Sequence, residues 1–493
     1  MARKPIDNFT KLKIFSREIA LFSSCASLAG WDRDTNMSPD GNEFKAEVLE
    51  LLGGYIQKQS TSKKFERLLK AAESDKTLLT EAQKRALKLW RRDFDRAKKL
   101  PLSFVKKITR VTSKAQTAWV AARDENSFKA FAPHLEKIVK LCKERAAYYG
   151  TTSGNLYDAL LDEYEPGMTV EKLTPIFANL KEVLPPLIKA FHSKTPADKS
   201  FLKGPFEGAK QIELGKLLMD EVHLPHSRCT LGESAHPFCC EIHPTDIRQT
   251  THVHENNLLA SIFAVLHESG HSLYHSNLPV EHYGTPLCAA ASYGIDESQS
   301  RLYETIIGHG KPFWNQFYPK LQNLFPVQLE SVSQDAFYRA IHTQPITPIR
   351  IYANELCYCM HIILRFELEQ GLINGTIKIK DLPKLWAEKM KEYLGITPES
   401  DAKGVLQDVH WSMGAIGYFP TYALGNLYAA QIFETFQAKY PSWTMESLLA
   451  FLKENIQSQG SLYTPDELIL RVTGKPLSAE PYINYLKTKY ENL

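Results

Sequence analysis

Cysteine is scarce in this sequence, with eight in 493 residues and no C-x-x-C pair. That excludes a disulfide framework and points to free thiols in a reducing compartment, so the expected location is cytoplasmic. Charge of one sign is also missing. Lys and Arg total 59 against 56 Asp and Glu, a net +3, which leaves no electrostatic footprint for nucleic acid or anionic lipid. No apolar run reaches the roughly 18 residues that a membrane-spanning helix needs. Internal repeats, low-complexity linkers and the glycine-rich G-x-G-x-x-G and G-x-x-x-x-G-K-[ST] loops are absent as well, which removes the usual phosphate-cradling signatures.

What remains is ordinary globular composition, 43% apolar and 23% charged, on a chain long enough to bury a large core. Basic residues at positions 3, 4, 11, 13 and 17 precede Ile19–Gly30, which superficially resembles a secretory leader. Ser23, Ser24 and Ser27 interrupt that run and no cleavage site precedes Trp31, so it reads as an internal helix. Helical periodicity dominates elsewhere. Leu87, Trp90, Phe94 and Ala97 make one stripe, whose basic flanks, broken by Asp93 and Asp95, read as a solvated face rather than a nucleic-acid surface. Leu135, Ile138, Val139, Cys142 and Ala146 make a second stripe, closed by Gly150. A third, Leu173 to Leu184, should kink or end at Pro185 and Pro186. Strand signals are few, the best being 237–242 and 248–253. The expected fold is mainly α: one domain over 1–493 that admits two lobes, a helical region over about 1–200 and the catalytic motifs over 236–431, with a deep groove and a small sheet beside it.

Chemistry concentrates in one window. The apolar run from Leu258 to Leu266 leads into His267, Glu268, Ser269, Gly270 and His271, an H-E-x-x-H. On an α-helix, i and i+4 share a face about 6 Å apart along the axis, so both imidazoles can converge on one metal. Imidazole suits Zn²⁺, a catalytic zinc keeps an open position for water, and Glu268 is placed to deprotonate that water. The bland alternative is a pair of buried histidines satisfied by core hydrogen bonds. His275 lies eight residues from His267, about 12 Å along a helix, too far for both to hold one ion. The long signature H-E-x-x-H-x-x-G-x-x-H is excluded by Tyr274 and Asn277. The third ligand must therefore come from a following helix, and by spacing Glu297, Glu281 and Glu304 all compete. The cysteine pairs 239/240 and 357/359 are small hydrophobes before they are metal ligands.

At this point the sequence resembles the carboxypeptidase Taq, or thermostable carboxypeptidase, family of zinc metallocarboxypeptidases. Ala29, Gly30, Trp31 and Asp32, with Thr35 and Met37, resemble its N-terminal Trp-Asp signature. His236, Pro237 and Phe238 match its HPF pattern, and Asp246, Arg248 and Thr250 its D-x-R-x-T. Glu297, Ser298 and Gln299 match most of H-E-S-Q, and Ile349, Arg350 and Ala353 most of I-R-x-x-A-D. Gly404, Gln407, Asp408, His410 and Trp411 complete G-x-x-Q-D-x-H-W. The resemblance implies an α-helical gluzincin-like body, usually a homodimer, that removes single residues from peptides with a free C-terminal carboxylate. It implies one Zn²⁺ per chain, for which Co²⁺ can substitute, held by His267, His271 and Glu297 with Glu268 as base. It further implies Arg350 as carboxylate binder, Asp246 and Arg248 as groove residues that limit peptide length, and His410 and Tyr422 as hydrogen-bond donors to substrate and oxyanion. Tyr418 is a weaker candidate for that last role.

Two positions depart from the family pattern. Asp296 stands where the family has His, and Asn354 where it has Asp. If those positions are neighbours, Asn354 relieves the repulsion that a second carboxylate beside Asp296 would create. An endo-acting oligopeptidase and an inactive peptidase-like scaffold are the competing readings.

Overall fold

The computed structural model describes residues 7–75, 79–192, 197–343, 345–491 and 493; the basic residues at positions 3 and 4 lie outside them. Twenty α-helices, several short 3₁₀ turns, one π-helical turn and one three-stranded sheet make up the regular structure of the described residues. The run after Arg17 belongs to the helix Asn8–Thr35, capped at its start by Asp7. The helix Glu81–Lys99 opens on a capping box of Thr80 with Gln83, which satisfies orphan N–H groups at its start. Leu87, Trp90 and Phe94 are buried as the stripe predicts, but Ala97 is exposed.

These N-terminal helices carry a small core of their own, built from Phe9, Leu12, Phe15, Phe65, Trp90 and Phe94 and closed by Leu287. From Ala115 onward most of the buried apolar residues join one large second core. Within it, the helix Val170–His192 does not end at Pro185 and Pro186. The buried residues Leu180, Leu184, Ile188 and Phe191 continue the apolar stripe past both prolines, and packing on both sides offsets the missing backbone bonds.

The strands are β1 (Cys229–Glu233), β2 (Cys239–His243) and β3 (Asp246–Thr251), in the order β1-β3-β2, with β1 parallel and β2 antiparallel to β3. The central strand β3 sits beside the helix Leu258–Ser276 that holds the H-E-x-x-H motif. Its side chains alternate, so Ile247, Gln249 and Thr251 are all buried on one face. Gln249 fastens strand to helix: its amide donates to Ser269 Oγ at 3.2 Å and its carbonyl accepts from Ser272 Oγ at 2.7 Å. On the other strand face, Asp246 and Arg248 stay half-exposed. Cys239 and Cys240 are only half-buried on β2, whereas Cys357 and Cys359 are buried. No helix of the described residues is long and apolar enough to cross a membrane.

Candidate active site

The motif helix begins at the Asn257 cap and is buried over much of its length, which holds His267, Glu268 and His271 at fixed positions. The next helix, Tyr293–Arg301, is started by Ser292, whose side chain accepts from Ile295 N. The two helices approach closely at Gly270, where a Cβ would lie 2.3 Å from Gln299 O. Only a glycine lets the backbones meet there. The result brings Glu297 Oε2 to 3.7 Å from His267 Nε2 and 3.5 Å from His271 Nε2. Of the three competing carboxylates, Glu297 is therefore the one that joins both imidazoles. Glu281 lies exposed in the turn Val280–His282.

Glu304 has a different place. It accepts from His267 Nδ1 at 2.7 Å and from Arg301 Nη1 at 2.7 Å. It sits on a π-helical turn, Leu302–Ile307. Asp296 does the matching work at the other imidazole, accepting from His271 Nδ1 at 2.9 Å. Its second oxygen faces His275 Nε2 at 3.3 Å, and His275 Nδ1 lies 3.0 Å from Glu241 on β2. Each motif histidine thus has Nδ1 tied to a carboxylate, which fixes the tautomer and turns Nε2 toward Glu297. Asn354 accepts from Cys357 N as the cap of the helix Glu355–Asn374. Asp296 faces two histidines, and Asn354 starts a helix.

Electrostatics test whether a cation fits. Burial opposes a charged imidazole at His267 and His271, yet the surrounding carboxylates outweigh it and hold both above the ordinary histidine range. Two inward Nε2 lone pairs and one carboxylate, with ligand atoms within 4.8 Å of one another, are a nitrogen-rich donor set that suits a divalent metal of the zinc type. Glu268 stands beside them, and burial raises its carboxyl above the usual range. Among the described residues it takes no protein hydrogen bond.

The other predicted residues form two groups. His410 Nε2 lies 3.2 Å from the Tyr422 hydroxyl, and the Arg350 guanidinium lies 4.7 Å from the Tyr422 ring centre. Tyr418 packs against both His410 and Tyr422. The two late motifs are one construction, because Gln407 accepts from Arg350 N at 2.7 Å while Asp408 takes its side chain. The second group is on the sheet. Asp246 and Arg248 form a two-pronged ion pair, both contacts 3.0 Å, with the guanidinium 4.9 Å from the Trp31 ring. Thr250 N donates to Phe238 O and Phe238 N donates to Thr250 Oγ1, both at 3.0 Å, which joins the HPF and D-x-R-x-T segments. A cleft of about 730 Å³ runs between the N-terminal helices, at Ser16, Ala20 and Trp90, and the wall at Tyr293, Asp296 and His275.

One residue that sequence reasoning passes over is Gly425 on the helix Pro420–Lys439. A Cβ there would lie 2.5 Å from Glu297 Cγ and 2.9 Å from its Cβ. Gly425→Ala should therefore push the ligand helix, lowering metal affinity by roughly 10–100-fold and stability by about 1–3 kcal/mol. Competition with a chromogenic chelator and thermal unfolding measure the two; unchanged affinity would show that Glu297 tolerates the shift.

A mainly helical body with an H-E-x-x-H helix and a glutamate on the following helix is the build of a metallopeptidase. The profile of the carboxypeptidase Taq (M32) metallopeptidase family matches residues 11–490. The chain belongs to this family, and is a metallocarboxypeptidase, a peptide hydrolase. It is 37% identical to carboxypeptidase 1 of Bacillus subtilis, covering 97% of each chain. It is 36% identical to thermostable carboxypeptidase 1 of Thermus thermophilus, covering 98% of each. Among solved structures, Trypanosoma cruzi metallocarboxypeptidase 1 superposes with a TM-score of 0.94 at 34% identity, covering 98% of this chain and 99% of that one. The M32 carboxypeptidase of Deinococcus radiodurans superposes with a TM-score of 0.95 at 33% identity, with the same coverage.

Proposed function

We propose that this enzyme removes single residues from peptide C-termini, using one zinc ion per chain held by His267, His271 and Glu297, with Co²⁺ able to replace it. When bound, the metal polarises the scissile carbonyl and acidifies water. Glu268 takes the proton of the attacking water and delivers it to the leaving amine. Its raised pKa suits both directions of transfer, since a base held nearer neutrality can return what it takes. Tyr422, oriented by His410, donates to the carbonyl oxygen as that oxygen gains negative charge. Arg350 holds the terminal carboxylate, for which a guanidinium fork is well matched. Asp246 and Arg248 line the approach beside Trp31 and limit peptide length.

The observation that carries this reading is Glu268 beside a two-imidazole, one-carboxylate cluster. It is tested by mass spectrometry of N-terminally blocked peptides incubated with metal-loaded enzyme. The expected product is a ladder of one-residue losses from the C-terminus, with the C-terminal amide of the same peptide resistant. Cleavage at internal bonds, in acid and amide alike, would favour an endo-acting oligopeptidase instead.

A further inference from the structure

Arg350 does not stand alone. Asp408 Oδ1 accepts from its Nε at 3.0 Å and from its Nη2 at 2.9 Å. The other oxygen, Oδ2, accepts from Arg365 Nε at 2.7 Å and from Arg365 Nη2 at 2.5 Å. All three side chains are nearly sealed, at 7%, 10% and 0% exposure for Arg350, Asp408 and Arg365. Arg365 is locked further, its Nη1 donating to His361 O at 2.6 Å and its plane 4.6 Å from the Trp386 ring centre. Arg350 Nη1 donates to the Tyr358 hydroxyl at 2.9 Å.

We propose that Asp408 and Arg365 are positioning residues for the carboxylate clamp: Asp408 pins Arg350, and Arg365 cancels the charge that Asp408 brings with it. The inference rests on the reading of Arg350 as the carboxylate binder. A guanidinium has five N–H groups. Three of those on Arg350 go to Asp408 and Tyr358, so two are left for an incoming anion among the described residues, one on each terminal nitrogen. Pinning by a carboxylate alone would defeat the purpose. The pair would be neutral, and a substrate carboxylate would meet Asp408 as a like charge in a poorly screened site. With Arg365 on the far oxygen the cluster carries one net positive charge, two guanidiniums against one carboxylate. Nearby His410 adds no charge at neutral pH, because burial pushes it down to about 4. Burial also keeps His361 neutral, well below the usual range.

Charge cancellation and mere structural support make opposite predictions. Arg365→Gln should raise KM for a free-acid peptide by roughly 10–100-fold, leave kcat within a few-fold, and erode the preference for acid over amide. Arg365→Lys, which keeps the charge without the fork, should recover part of that KM. The double variant Arg365→Gln/Asp408→Asn removes both charges while the Asn oxygen can still accept from Arg350. It should restore KM to within about threefold of the unaltered enzyme. A double variant worse than either single change, or an acid-to-amide ratio unmoved by Arg365→Gln, overturns the proposal. Because the double variant keeps the native net charge of the cluster, one positive charge on Arg350, it stays informative if Arg365→Gln fails to fold. Arg350→Ala separates the two levels. An acid-to-amide ratio unchanged in Arg350→Ala defeats the clamp reading itself, whereas a ratio altered there but not at Arg365 defeats only the roles of Arg365 and Asp408.

Discussion

Glu268→Gln should keep its fold and its metal yet lose turnover by about 10²–10⁴-fold, the range expected for removing a positioned general base. The substitution preserves shape and volume, so nothing in the packing of the motif helix needs to change. It removes only the ability to hold a proton. The site prepares that ability in two ways. Glu268 is flanked in sequence by His267 and lies on the face shared with His271, and it is 7% exposed, so burial raises its carboxyl. Among the described residues no protein group occupies its oxygens, in contrast to Glu304 and Asp296, which are both engaged by histidines. The check is kcat on a blocked peptide together with metal content by atomic emission. Turnover within about threefold of the unaltered enzyme, at equal metal content, would remove Glu268 from the role of base.

Loss of the metal itself should be as severe. Chelator-treated enzyme should show no turnover above background, and Zn²⁺ or Co²⁺ should restore it while Mg²⁺ should not, because two imidazoles are poor ligands for a hard, oxygen-seeking ion. Glu297→Gln should weaken metal binding by 100-fold or more while sparing the fold, since the amide fills the same space beside Gly425. The pH dependence has a defined sign. In the metal-free protein His267 and His271 have raised pKa values, so protons occupy the site at low pH and compete with the metal. Their protonated forms stabilise the metal-free fold below the unfolded histidine pKa, and that contribution fades as pH rises through the raised value. Added metal should therefore raise the melting temperature more at pH 8 than at pH 6. Equal gains at both pH values would show that these histidines do not exchange protons for metal.

Much of the site is local and so could be read from the chain. The i, i+4 spacing of His267 and His271 fixes their common face, and the apolar run before them marks a buried helix. Glu297 could not be singled out by spacing, because loop length does not say where a return helix will dock. What decides it is the contact at Gly270 and Gly425, two glycines in different helices whose meaning appears only when the helices pack. The pairing of Asp408 with Arg365 was hidden for the same reason, the two being partners 43 residues apart. In the fold, β1 carries Gly232 and no clean alternation, so its pairing with β3 is set by the sheet rather than by propensity. Pro185 and Pro186 marked a kink or an end by local rules, and the surrounding core carries the helix on to His192 without an end there.

The π-helical turn Leu302–Ile307 gives chain length an unusual weight at this site. Successive residues of a helix are separated by about 100° of rotation, and a π turn is an α-helix widened by one residue. Deleting one residue from 302–303 would let the turn relax to α geometry and swing Glu304 off His267 and Arg301, its partners at 2.7 Å. Insertions and deletions that pass unnoticed in exposed loops would here disconnect an imidazole from its carboxylate. Across descendants of this sequence, the count of residues between Arg301 and Glu304 should be as tightly kept as the identity of either one.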